Sequence, residues 1–223
     1  MGFSRSNPSR RYLQLIELNQ RLHNEGDKRR NKPAFETFDG RSLAAQTAEI
    51  KLMIRATGAK TILDYGCGKA MLYREIIGDK QQRMFGEKGR WSTIKEYWGV
   101  DAITLYDPAY SPYTKIPDGP FDGVVCTDVL EHCPESDLDW IVAELFAYSR
   151  KFVFATISAR PANKLLPNGE NAHCTLRPSK FWGDLFTATA HDFPGVDWEI
   201  YVGEKGRIVD ARFGSIDPVL KVL

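Results

Sequence analysis

A glycine-rich turn at the end of a short apolar run is the first feature of the sequence that could support chemistry. Residues 61–64 read Thr-Ile-Leu-Asp, and the run then breaks at Gly66 and Gly68. Glycines let the backbone turn sharply and approach a ligand closely, and the helix predicted to follow would present free N–H groups. Asp64 lies two residues before the first glycine, which makes the pattern more specific than a lone G-x-G. These residues predict a ligand site.

Two histidines follow the ends of other predicted strands. His132 comes shortly after the strand predicted over residues 121–127, and His173 lies in a loop, residues 160–176, after the next strand. Open α/β sheets bind ligands at the carboxyl edge of their strands, so both side chains can face one cleft. Histidine is the natural general base near neutral pH. The alternatives are a packing or capping role for His132 and an ordinary loop position for His173.

The elements that would position these residues follow from the apolar pattern. Runs typical of strands occur at residues 61–64, 103–107, 121–127, 151–157, 198–202 and 207–213. Helical spacing occurs at residues 43–54, with Ser42 as N-cap and Gly58 as stop, at residues 71–77, after Pro134 and from Pro178. An irregular insertion with one short helix is predicted over residues 78–99. We therefore predict an α/β fold: a Rossmann-like, mostly parallel sheet with helices on both faces and a C-terminal antiparallel hairpin.

The N-terminal residues differ from the rest in charge. Basic residues of this segment are Arg5, Arg10, Arg11, Arg21, Lys28, Arg29, Arg30 and Lys32. Apolar residues from Tyr12 to Leu22 are spaced as one face of a helix. We predict a basic helical leader over residues 1–41, which with Phe35 and Phe38 acts as a lid, and one domain over residues 42–223.

Composition narrows the class of protein. The chain has 223 residues and a formal net charge of +1, so charge alone neither requires nor excludes a polyanionic partner. No apolar run approaches the ~20 residues needed to span a bilayer, and no secretory signal is recognisable. The cysteines form no C-x-x-C pair, so a zinc site is not expected and reduced thiols are. A cytoplasmic protein without a membrane partner is predicted; the pattern does not specify an oligomeric state.

Two segments taken together resemble class I S-adenosylmethionine-dependent methyltransferases. Residues 62–68, Ile-Leu-Asp-Tyr-Gly-Cys-Gly, resemble motif I of that family. Residues 121–132, Phe-Asp-Gly-Val-Val-Cys-Thr-Asp-Val-Leu-Glu-His, resemble its fourth-strand motif in the form seen in small-molecule enzymes such as the ubiquinone-biosynthesis O-methyltransferases. The resemblance covers about residues 42–213. It implies an enzyme that uses S-adenosylmethionine to methylate an oxygen or nitrogen of a polar small molecule, such as a sugar or metabolite.

The resemblance also implies roles for individual residues. The cofactor would be bound by Asp64, Gly66, Cys67, Gly68, Asp107, Thr127, Asp128 and Val129. Asp64 would lie near the ammonium group of the cofactor, and Asp107 would accept its ribose hydroxyls, with Asp101 as the rival. Independently of the resemblance, the positions of His132 and His173 make them the candidate catalytic residues, and methyl transfer does not require a metal. The sequence departs from the motif at Ala70, where the family often has glycine.

Other functions remain open at this level. One is RNA methylation assisted by the basic leader, and another is a non-catalytic module that binds S-adenosylmethionine. Asp128, Glu131, His132 and His173 resemble, in order and type, the metal ligands of small-RNA 3′-end 2′-O-methyltransferases, although the first ligand would be Asp rather than Glu. A last group, Arg160, Lys164 and Arg177, could pair with a carboxylate or phosphate of the methyl acceptor.

Overall fold

A computed structural model of the chain describes residues 2–77, 91–203 and 211–215. Its helices are α1 (Arg10–Glu25), α2 (Thr47–Thr57), α3 (Ile94–Trp98), α4 (Leu138–Ala147) and α5 (Ser179–Ala190). Its strands are β1 (Thr61–Tyr65), β2 (Ala102–Tyr106), β3 (Phe121–Thr127), β4 (Ser149–Ser158), β5 (Asp197–Gly203) and β6 (Ala211–Gly214). Short 3₁₀ turns include Arg41–Gln46, Met71–Arg74 and Leu130–His132.

The strands form one sheet in the order β2-β1-β3-β4-β5-β6. Every neighbouring pair is parallel except β5 and β6, which are antiparallel. The chain runs from β1 outward to β2 and then returns to β3 on the other side of β1. Strand order therefore reverses beside β1, and such a switch point is where open α/β sheets bind ligands. The predicted α/β fold with its closing hairpin is confirmed.

Helices cover both faces of the sheet because successive strand residues point to opposite sides. Leu63 and Val153 are buried in the core shared with α4 and α5. Ile62 and Phe154 are buried in a second core shared with α2 and α3. These strands are apolar at consecutive positions, as expected for strands covered on both faces.

Two predicted helices differ from those observed. Residues 41–46 form a 3₁₀ turn, so α2 begins at Thr47 and Ser42 is not its N-cap, although Gly58 ends α2 in a left-handed conformation as predicted. The helix predicted over residues 71–77 is only a turn that ends when Glu75 becomes extended. The backbone N–H of Met71 bonds the Asp39 carbonyl, so the N-terminal segment satisfies a group that a helix start leaves free.

Some of the predicted elements lie partly outside the described residues. Of the insertion predicted over residues 78–99, residues 78–90 are not described, and α3 supplies a short helix in the remainder. Of the final strand predicted over residues 207–213, residues 207–210 are not described either.

The N-terminal segment packs against the sheet and the loop that follows β4. Helix α1 starts after Ser9, whose side chain accepts a hydrogen bond from the Tyr12 N–H. Leu15 and Leu22 of this helix are buried against Leu166 of the loop. The predicted helix of the leader is therefore present, whereas the boundary between residues 41 and 42 stays a prediction. None of the described helices combines the length and hydropathy needed to cross a membrane.

Candidate functional site

A cavity of about 680 Å³ opens at the carboxyl edge of the sheet. Its walls come from the turns after β1, β2 and β3, from the ends of β4 and β5, and from the N-terminal segment. Sites for small molecules and cofactors usually have volumes of ~300–1,000 Å³. The cavity therefore has the size and the position, at the switch point beside β1, of a ligand site in a fold of this type.

The glycine turn lines this cavity through Gly66, Cys67 and Gly68. Gly66 and Gly68 have φ values of 83° and 58°, which favour glycine. A Cβ at Gly66 would collide with the side chain of Val129, and one at Gly68 with the carbonyl oxygen of Phe38. The sequence suggested that the glycines allow close approach of a ligand. A Cβ at either glycine would also collide with the chain itself, so the glycines let the turn pack between Val129 and the N-terminal segment, and close approach of a ligand stays a prediction.

Asp64, the second-last residue of β1, has one carboxylate oxygen without a hydrogen-bond donor. Its Oδ2 accepts a hydrogen bond of 2.9 Å from the Tyr73 hydroxyl, whereas its buried Oδ1 has no donor. Burial raises the pKa of Asp64 to about 7, with a further contribution from the charge of Asp107. A buried carboxylate without a positive partner favours its neutral form. A cationic ligand group would therefore find an acceptor here.

Asp107 braces the glycine turn from the end of β2. Its Oδ2 accepts a 2.8 Å hydrogen bond from the Gly68 N–H, and its Oδ1 accepts one of 2.8 Å from the Ala109 N–H. Burial raises the pKa of Asp107, and these N–H groups oppose that rise. The rival Asp101 is exposed at the amino end of β2, away from the cavity. The structure therefore places Asp107, and not Asp101, in the cavity wall.

Thr127, Asp128 and Val129 line the cavity beyond the end of β3. Asp128 has φ 56°, and its Oδ1 accepts a 3.0 Å hydrogen bond from the Thr156 hydroxyl. Across the cavity, Phe38 also has a positive φ of 50°. Such conformations cost ~1–3 kcal/mol each and persist where surrounding contacts hold them, often at functional sites.

His132 and His173 meet as an edge-to-face pair with ring centroids 4.8 Å apart. The Nδ1 atoms lie 2.8 Å from the Ala172 carbonyl oxygen and 2.5 Å from that of Arg160. A carbonyl can only accept, so each Nδ1–H donates and each Nε2 keeps its lone pair. Burial lowers the pKa of His132 to about 3, helped by the charges of His173 and Lys164. Burial also lowers the pKa of His173, while the Arg160 carbonyl and Asp128 oppose that fall.

Glu131 lies beneath the histidine pair and is completely buried. Its Oε1 accepts a 2.9 Å hydrogen bond from the Ser158 N–H and lies 4.0 Å from the His173 Nε2, while its Oε2 has no donor. Burial raises its pKa, and the charge of Asp128 adds to the rise. Although Asp128, Glu131, His132 and His173 all line the cavity, no group of three or more His, Cys, Asp or Glu side chains within the described residues is arranged to hold a metal ion.

Unsatisfied polar atoms concentrate in this cavity. Within the described residues, four buried side-chain oxygens lack a hydrogen-bond donor: those of Asn19, Asp27, Asp64 and Glu131. Three of them, all except that of Asp27, belong to cavity-lining residues. Because buried polar groups in folded proteins are nearly always paired, these oxygens are places where a donor from solvent or from a ligand would complete the hydrogen bonding.

Sequence reasoning missed Lys69 and His23. The buried Lys69 ammonium donates to the Thr37 carbonyl at 2.6 Å and lies 3.1 Å from Nδ1 of His23, a cavity-lining residue of α1. Burial lowers the pKa of Lys69 to about 8 and that of His23 to about 3. The only available signal was the position of Lys69 beside Gly68, since its partners are remote in sequence.

Other predicted contacts divide between the cavity and the surface. Phe38 lines the cavity, but Phe35 is 65% exposed and does not. Of the three basic candidates for acceptor binding, Arg160 and Lys164 line the cavity. Arg177 instead pairs with Glu135 on the surface, with N–O distances of 2.8 and 2.6 Å.

The comparisons with known proteins assign no function to this site. No family model, no curated protein and no solved structure gives a significant match to the chain. A function has to be inferred from the cavity and from the groups that line it.

Proposed function

We propose that the chain is an S-adenosylmethionine-dependent methyltransferase that transfers a methyl group to an oxygen or nitrogen of a polar small molecule. The observation that carries this proposal is the unsatisfied, buried Oδ1 of Asp64 beside the glycine turn. It lies at the switch point of a parallel sheet, where this class of fold binds nucleotide-like ligands. The sequence resemblance in motif I and the fourth-strand motif supports the same conclusion.

The groups in the cavity wall fit this cofactor. S-adenosylmethionine carries an ammonium and a sulfonium charge, and a buried carboxylate such as Asp64 suits a cation. Asp107 accepts one backbone N–H at each oxygen, and a carboxylate oxygen can accept a further hydrogen bond from a ribose hydroxyl. Thr127, Asp128 and Val129 would border the cofactor from the end of β3. When bound, the cofactor supplies an electrophilic methyl group on sulfur.

The histidine pair supplies a base, which is needed to remove a proton from a methyl acceptor that reacts through a hydroxyl or ammonium group. Nε2 of His173 is free, and its ring is oriented by the bond from Nδ1 to the Arg160 carbonyl. Burial lowers the pKa of both histidines, but Asp128 opposes that fall at His173, whereas the pKa of His132 falls to about 3. A base works best when its pKa lies near the working pH. His173 therefore takes the proton, and His132 packs against it.

The proposal includes a cytoplasmic location. All four cysteines, Cys67, Cys126, Cys133 and Cys174, are free thiols. Free thiols are the usual state in a reducing compartment. None of the four is needed in the proposed reaction beyond the backbone of Cys67 in the glycine turn.

The test is calorimetric titration of S-adenosylmethionine and S-adenosylhomocysteine into the wild type and two variants. Asp107→Asn should weaken binding at least about tenfold, since a hydrogen bond to a charged group contributes ~1.5–3 kcal/mol. Asp101→Asn is the matched control at the other end of the same strand and should bind as the wild type does.

Circular dichroism and thermal melting establish that each variant is folded. Absence of binding to the wild type would rule out the proposed function. Equal binding to wild type and Asp107→Asn would remove Asp107 from the cofactor site. Tight binding without turnover on any polar acceptor would favour the non-catalytic module.

A further inference from the structure

Three of the basic side chains that line the cavity form no ion pair with any described residue. They are those of Lys32, Arg160 and Lys164. No ion pair or side-chain hydrogen bond involves any of these three among the residues that the structure describes. By contrast, Arg11 and Arg177, on the nearby surface, pair with Glu170 and Glu135. Lys32, Arg160 and Lys164 therefore bring positive charge to the cavity wall that no described side chain pairs with.

Lys164 is the best defined of these cations. Its ammonium lies over the ring of Phe38, 4.0 Å from the centroid, and Phe38 in turn meets His132 edge-to-face at 5.7 Å. Partial burial lowers the pKa of Lys164, and Lys32 adds to the fall. Asp39 and Asp128 oppose it through space but form no ion pair with it. A charge removed from water without a hydrogen-bonded partner is costly, so the site favours an anion.

Carboxylates occur throughout the cavity, whereas Lys164 lies over Phe38, whose ring meets that of His132. Asp64 and Asp107 lie beside the glycine turn, where a cationic cofactor would bind. The charge of Lys164 lowers the pKa of His132 and contributes to the lowered pKa of His173, where Asp128 opposes it. An anionic group would therefore bind near the histidine pair rather than at the glycine turn.

We propose that the methyl acceptor carries a carboxylate or phosphate group, which Lys164 binds together with Lys32 and Arg160. The bound anion places the acceptor atom next to His173, whose backbone contact to Arg160 belongs to the same loop. An anion here also offsets the charge of Lys164 and makes His173 a stronger base. The inference rests on the proposed function, since it assigns the substrate class of the same cavity.

The test uses inorganic phosphate and malonate as probes, titrated by calorimetry at constant ionic strength. The wild type should bind at least one probe saturably, with and without S-adenosylhomocysteine. Lys164→Gln should weaken that binding at least about tenfold, as expected for loss of a charge-assisted hydrogen bond. Arg177→Gln, the control on the surface, should leave it unchanged, and Lys164→Arg should restore most of it. Preference for phosphate or for malonate identifies the anionic group of the acceptor.

Histidine NMR gives a second readout that a merely structural role of Lys164 would not produce. Phosphate or malonate should raise the pKa of His173 in the wild type but not in Lys164→Gln. The inference would be overturned if neither phosphate nor malonate bound to the wild type. Equal binding of a probe to the wild type and to Lys164→Gln would overturn it as well. Because S-adenosylhomocysteine is titrated separately, a protein that binds it but neither anion refutes only the anionic acceptor. A protein that binds neither kind of ligand refutes the proposed function as well.

Discussion

At the scale of the residue, the cavity favours the neutral forms of its ionisable groups. Burial raises the pKa of Asp64 and Glu131 and lowers that of His132 and Lys69. Buried groups whose pKa values are displaced in this way cluster at functional sites, where burial and neighbouring charges tune the protonation of the reacting groups. Here each displaced group lies in the cavity wall or beside the glycine turn.

If the proposed function holds, Asp64 should make binding of the cofactor pH-dependent. Its pKa is about 7 in the free protein, and a cationic ammonium beside Oδ1 would lower that value. Binding therefore expels a proton below pH 7, so affinity for S-adenosylhomocysteine should rise with pH up to about 7 and then level off. The limiting slope is about tenfold per pH unit. Calorimetry between pH 5.5 and 8.5 measures this dependence.

The matched variant is Asp64→Asn, which cannot titrate. It should bind more weakly at high pH and show no rise in affinity towards pH 7. An identical pH profile in wild type and variant would show that another group is responsible.

At the scale of the element, the N-terminal segment is joined to the sheet at several points. Arg5 bonds Glu144 on α4 and the hydroxyls of Tyr65 and Tyr106, the latter two at 2.9 Å. On the glycine turn, the Lys69 N–H donates to the Phe38 carbonyl at 2.8 Å. The N-terminal segment and the glycine turn therefore form one wall of the cavity. A movement of either one would displace the other.

Loss of the Arg5 contacts should destabilise the protein. Arg5 and Glu144 are 27% and 15% exposed, and removing one partner leaves a partly buried carboxylate and two hydroxyls with fewer donors. We expect Arg5→Gln to lower the free energy of unfolding by about 2 kcal/mol, measured by urea denaturation. Arg10→Gln is the control, because Arg10 is exposed and forms no ion pair with any described residue. Equal stability of the two variants would contradict the anchoring role.

At the scale of the whole molecule, much of the basic charge of the leader is neutralised internally. Arg5 pairs with Glu144, Arg11 with Glu170, and both Arg21 and Lys28 with Glu25. The formal net charge is only +1. Long-range attraction of a polyanion is therefore weak, and the unpaired cations of the cavity suit a single anionic group better than a nucleic-acid backbone.

RNA binding should accordingly be weak. Fluorescence anisotropy with a single-stranded RNA should give affinities no tighter than the non-specific range of ~10⁻⁴–10⁻⁶ M at physiological salt. Affinity for S-adenosylhomocysteine should be measured in parallel and should change little between about 50 and about 200 mM salt. Binding to nucleic-acid phosphates weakens steeply over the same range. Tight RNA binding with a steep salt dependence would favour the RNA methyltransferase instead.

Sequence alone determined the features that depend on neighbouring residues. The strand predicted over residues 121–127 is β3 in full, and the glycine turn follows β1 as predicted. A strand buried on both faces is apolar at consecutive positions, and a turn with positive φ favours glycine, so both leave local signals. Ala70 has φ 53° at a position where the related motif often has glycine.

Tertiary structure decided everything that depends on residues distant along the chain. The helix predicted over residues 71–77 shortens to a turn in the structure, where Asp39 bonds the Met71 N–H. Arg177 and Lys164 looked equivalent in sequence, yet Arg177 meets Glu135 at the surface while Lys164 lies over Phe38 in the cavity. Charge, burial and pKa depend on distances in space, and periodicity along the chain does not encode those distances.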